Sequence, residues 1–113
     1  MVNIYYIRKK IIFLCLFLAF FINLIYAAVP QIPQNLSAVA TSATSIRITW
    51  NSASGAERYK VTNKNTGVET GNIYGTSYEW TGLNQGQNYC FTVKACNTYG
   101  CSFESYQACA ATG

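Results

Sequence analysis

From about position 35 onward, apolar and polar residues alternate in short runs separated by turn residues, and no stretch repeats with the period of an amphipathic helix. The clearest run begins at Tyr89, where Tyr89, Phe91, Val93 and Ala95 alternate with Cys90, Thr92, Lys94 and Cys96 before a Gly-containing turn. A period of two sends alternate side chains to opposite faces, so this is a half-buried strand that enters a hairpin, with Cys90 and Cys96 on one outer face. Residues 45–50 place Ile46, Ile48 and Trp50 inward and Arg47 and Thr49 outward. Residues 57–63 bury Tyr59 and Val61 while Arg58, Lys60 and Thr62 face water, and residues 77–81 bury Tyr78 and Trp80. Pro30 and Pro33 bracket an extended lead-in over 28–34, a first strand follows over 35–40, Val68 to Thr70 forms a short edge strand, and Gly82-Leu83 opens the corner into the Tyr89 strand. Short strands at regular spacing with turn residues between them predict an all-β sandwich.

The first residues follow another rule. Arg8, Lys9 and Lys10 precede an unbroken apolar stretch from Ile11 to Ile22, and Ile25-Tyr26-Ala27 ends it with a small residue before a cut. Residues 1–27 therefore form a signal peptide cleaved after Ala27, and Cys15 leaves with it. The competing expectation is a retained anchor over residues 11–29, which would tether the domain to a membrane. Removal of the leader changes the charge argument: three of the eight basic residues go with it, leaving Arg47, Arg58, Lys60, Lys64 and Lys94 against four glutamates. That near-balance gives no electrostatic footprint for a nucleic-acid partner. What remains suits one small domain, of a size that buries only roughly 60–65 % of its unfolded surface, and four cysteines are available to staple it.

Leu36, the Ser45-Ile-Arg-Ile-Thr-Trp50 strand, Gly55-Ala56 ahead of Tyr59-Lys-Val61, Thr76-Ser-Tyr78, Thr81-Gly-Leu83, and Leu83 six residues before Tyr89 together resemble a fibronectin type III domain. The resemblance covers about residues 32–112 and implies an immunoglobulin-like β-sandwich of about seven antiparallel strands, with the domain proper over 35–113. It makes Trp50 the core tryptophan of the second strand and Leu83 and Tyr89 the corner that enters the sixth, with Tyr59 and Trp80 among the core aromatics. Gln85 and Gln87 stand where the family often has proline and threonine, which implies a less rigid corner. There is no Arg-Gly-Asp tripeptide, so integrin binding by that route does not carry over. The Cys-Asn-x-x-Gly-Cys hairpin resembles a variant of secreted bacterial members.

Four cysteines allow three pairings. Cys96 and Cys101 flank the hairpin turn on one face, where directly opposed residues come within disulfide reach. Cys90 and Cys109 remain, although register counted from the first bridge places Cys90 opposite Gln107. The Ser102-x-x-Ser105 stretch resembles the point at which this family's last strand bulges, and an inserted residue there alters the register, so a second bridge from Cys90 to Cys109 is expected.

The chain has no histidine and no aspartate, which removes histidine general acid/base chemistry, Ser-His triads, histidine metal ligands and aspartate-rich calcium loops. The glutamates form no catalytic pair, and Glu79 faces water beside Arg47. No enzyme, cofactor or metal site is expected. Arg58, Lys60 and Lys94 share an outer sheet face, as a solvated row rather than an anion site. Asn35-Leu-Ser37 would accept a glycan only in a eukaryotic host. Tyr74, Tyr99, Phe103 and Tyr106 fall outside the inward pattern. Of these Tyr99, at the tip of the stapled hairpin, is the first candidate for contact with a partner, with Tyr74 and Phe103 behind it. The expected function is a secreted, non-catalytic recognition or adhesion module that binds a protein or glycan through its loops. The alternative is a structural spacer, as a fragment of a larger secreted or surface protein. The chain's length favours the former, since a spacer needs something to space.

Overall fold

The computed structural model describes residues 28–113. The expected leader 1–27 with Cys15, and all but the last two residues of the apolar stretch 11–29, lie outside the described residues. Among those described, no helix is long and apolar enough to cross a membrane.

Seven strands of the described residues form two antiparallel sheets: β1 (Ser37–Ser42), β2 (Ser45–Thr49), β3 (Arg58–Asn63), β4 (Ser77–Trp80), β5 (Asn88–Asn97), β6 (Gly100–Cys101) and β7 (Ala108–Ala111). One sheet runs β1-β2-β4; in the other, β5 lies between β3 and an edge shared by β6 and β7. The inward residues meet between the sheets. Ile46, Ile48, Val61, Phe91, Val93 and Ala95 are fully buried, and Trp50 packs on Tyr59 as Trp80 packs on Phe91, each with ring centroids 5.5 Å apart. Each of the larger aliphatic and aromatic side chains among these contributes roughly 1.5–3 kcal/mol by leaving water, so the alternation is the main source of the fold.

The corner before β5 is closed by hydrogen bonds. The Tyr89 hydroxyl accepts from the Asn84 amide at 2.9 Å and donates to Gln87 Oε1 at 3.2 Å, while the Leu83 amide donates to the Thr44 carbonyl. Buried Thr112 completes it: its hydroxyl donates to the Asn84 carbonyl at 2.6 Å and accepts from the Gln87 amide at 3.1 Å. Gln87, at which a looser corner is expected, is held here by both Thr112 and Tyr89.

Three local expectations need correction. The first strand begins at Ser37 rather than Asn35, because Asn35 has φ +57°, a left-handed conformation that asparagine tolerates and a strand does not. The edge strand at Val68 to Thr70 is reduced to isolated bridges, Thr62 to Glu69 and Tyr59 to Ile73. A one-residue shift between them prevents a regular ladder, although Tyr59, Val61 and Asn63 still find partners in the returning segment. Thr62, Thr92 and Cys96 keep the outer parity yet are buried: Glu69 reaches back to Thr62, with Lys60 and Lys94 drawn to it, while Cys96 lies against its disulfide partner Cys101 and opposite Arg58.

Candidate recognition surface

Strand β6 pairs Cys96 with Cys101, whereas β7 pairs Cys90 with Cys109. Counted along β5, the second register lags the first by two residues, and that even insertion decides the geometry. A single inserted residue would have turned Cys109 to the inner face; two preserve the alternation and leave both pairs on the outer face. The structure has disulfides at both, Cys90–Cys109 and Cys96–Cys101, with Cα separations of 4.1 and 4.0 Å. The insertion also decides where Glu104 points. In an uninterrupted register it would point inward opposite Val93; in the observed one it turns out and meets Lys64 at 3.1 Å.

Between β6 and β7 the serines take over the work of the missing strand. The Ser102 hydroxyl accepts from the Ala95 amide at 3.1 Å and the Ser105 hydroxyl from the Val93 amide at 3.0 Å, while the amides of Ser102 and Ser105 donate to the carbonyls of the same two residues. Both serines are buried. With these two turned in, their neighbours turn out: Phe103 is 85 % exposed and Tyr106 94 %. A segment tied to β5 by a disulfide at each end and by two serines between them thus presents two unpacked aromatic rings.

The other candidates distribute unequally. Tyr99, 74 % exposed, sits at the β5–β6 turn, where its amide donates to Asn97 Oδ1 at 2.9 Å. The next residue, Gly100, has φ +144°, a conformation that favours glycine. A Cβ there would come within 3.5 Å of Val29. Tyr99 and Phe103 therefore share one sheet edge with the lead-in. Tyr74, 77 % exposed, lies next to Ile73 on the far side of β3, separated from them by β3 and β5. Tyr106 lies outside the inward pattern but is not among the binding candidates that the sequence offers. The signal that finds it is the offset between Ser102-x-x-Ser105 and Phe103-x-x-Tyr106: if the first pair faces in, the second faces out.

The lead-in is docked by backbone hydrogen bonds, Gln31 to Ser54 at 3.1 Å and Asn51 to Gln34 at 3.0 Å. Three adjoining hollows that share Gln34 lie between it and the 102–107 segment and together make an open groove. Val29, Ile32 and Phe103 line one end, Tyr106 and Gln107 the other, and Gln34 borders it throughout.

Charge adds a negative selection. Every charged side chain from 28 to 113 has an opposite partner within 4.0 Å: Arg47 with Glu79, Arg58 with Glu57, Lys60 and Lys94 with Glu69, and Lys64 with Glu104. Glu69 sits on the row of Lys60 and Lys94, which face each other directly across β3 and β5. Glu79 is held below the usual glutamate value chiefly by the Thr41 hydroxyl that donates to it, with Arg47 adding to the effect and desolvation opposing it.

Among family models, that of the fibronectin type III domain matches residues 31–109. No curated protein matches the chain. Among solved structures, a mutant of the domain FN3tt superposes with TM-score 0.67 at 21 % identity, covering 74 % of this chain and 96 % of that one. The FN1–FN3 domains of chicken CNTN1 give 0.66 at 17 %, covering 73 % of this chain and 30 % of that one. An Fn3-like protein from Clostridium thermocellum gives 0.64 at 31 %, covering 71 % and 90 %.

Proposed function

This chain belongs to the fibronectin type III family, and from that premise we propose that it is a secreted, non-catalytic recognition or adhesion module that meets a protein or glycan with its Phe103–Tyr106 edge. Residues 1–27 act as the export signal, and the two disulfides suit the oxidising compartment to which it leads. The observation that carries this reading is the pair of rings, 85 % and 94 % exposed, on a segment anchored at both ends and through its middle. Large exposed aromatics are costly to leave in water, and a pre-held loop loses little freedom on binding. Tyr99 extends the same edge; Tyr74 does not.

The test is capture of partners from cell-surface extracts by the oxidised chain produced for export. Phe103→Ala with Tyr106→Ala is expected to abolish capture, Tyr99→Ala to weaken it, and Tyr74→Ala to leave it intact. Capture that survives the double variant would move the site elsewhere, and a folded, disulfide-bonded protein that captures nothing would favour the spacer role.

A further inference from the structure

Amide side chains accompany the aromatics along this edge. Gln34 borders the whole groove, Gln31 stands at the Phe103 end, and Asn35 and Gln107 stand at the Tyr106 end; all four are exposed. The one charged residue bordering the groove is Glu104, and Lys64 already holds both of its carboxylate oxygens, at 3.3 and 3.1 Å. A charged partner would find no free counter-charge here. A neutral ligand with apolar faces and many hydroxyls would find both of its needs met. An amide group both donates and accepts, as a hydroxyl does, and an exposed ring offers a flat apolar surface to a sugar's C–H face. We infer that the groove binds an uncharged oligosaccharide, with Phe103 and Tyr106 as stacking platforms and Gln34, Asn35 and Gln107 as partners for its hydroxyls. The two platforms stand three positions apart, a reach of up to about 10 Å, so they can meet different sugar rings of one chain. The inference rests on the reading of this edge as the recognition surface, and it names the ligand class.

The experiment is affinity electrophoresis of the oxidised chain in native gels containing hydroxyethyl cellulose, galactomannan or dextran, with polygalacturonate as the anionic comparison. Retardation by at least one neutral polymer is expected, weakened about tenfold by Phe103→Ala with Tyr106→Ala and measurably by Gln34→Ala with Gln107→Ala. Phe103 and Tyr106 are unpacked, so their variants keep the fold, which intact mass and circular dichroism verify. Unchanged mobility in all three neutral polymers, retardation by polygalacturonate alone, or retardation that survives the aromatic double variant would overturn the inference. If the neutral polymers fail while partner capture still depends on Phe103 and Tyr106, the ligand class falls and the surface stands. If retardation depends on Tyr74 instead, the surface falls as well.

Discussion

At the β3 edge of the four-stranded sheet, the returning segment satisfies backbone groups of Tyr59, Val61 and Asn63, and Glu69 lies within 4.0 Å of both Lys60 and Lys94. At the opposite edge, β6 and β7 are interrupted, the backbone is satisfied by serine hydroxyls, and Phe103 and Tyr106 stand in solvent. Both arrangements protect a sheet edge from open pairing. The first does so with polar contacts, and its exposed Tyr74 and Val68 belong to a segment that no disulfide anchors. The second holds a bulged segment with covalent bonds and leaves its apolar groups unused. The difference is the ground for proposing recognition at the second edge, where rings are rigidly held yet have nothing packed on them.

The largest expected effect separates the two staples of the second edge. Replacing Cys90 and Cys109 together by alanine should cost about 3 kcal/mol, and replacing Cys96 and Cys101 about 2, following the sizes of the loops they close. Denaturant midpoints measure both, and equal losses would mean that loop closure is not the governing term. Next, Ser105→Ala leaves the Val93 amide without the acceptor it has at 3.0 Å and should cost about 1–2 kcal/mol, with faster hydrogen exchange at Val93. Unchanged exchange there would show that the hydroxyl is not what replaces the strand.

At the first edge, Glu69→Gln leaves Lys60 and Lys94 facing each other. The expected loss is about 0.5 kcal/mol at low salt, small because all three groups are partly exposed and screened, and it should fade in high salt. A loss independent of salt would point to packing instead of charge. Smallest is the pH effect at Glu79, on the other sheet. Its lowered folded value means that its contribution is present above the ordinary glutamate value and is lost as pH falls through the lowered one. Thr41→Val removes the leading cause, so the Glu79 titration followed by NMR should move up toward the ordinary value; no movement would assign the effect to Arg47.

Much of this molecule can be read from local pattern. The inward alternation of Ile46, Ile48, Tyr59, Val61, Phe91 and Val93 identifies the strands and core, because burial of one face requires a period of two and any slip by one residue would invert it. The corner pair Leu83 and Tyr89 and the hairpin pair Cys96 and Cys101 are equally local, fixed by a few bonds of chain. Turn chemistry also places Tyr99 at a tip.

The remainder depends on residues distant in sequence. Glu104, turned outward, meets Lys64, forty positions away, in the register that the two-residue insertion sets and that aligns Cys90 with Cys109. Thr112 reaches the corner 25 positions earlier, and the lead-in becomes one wall of a groove only when its backbone docks beside Ser54. The sequence by itself determined which faces are apolar, since that follows from neighbouring residues. The tertiary structure alone decided which aromatics share an edge, because strand order and register set distances that spacing along the chain does not.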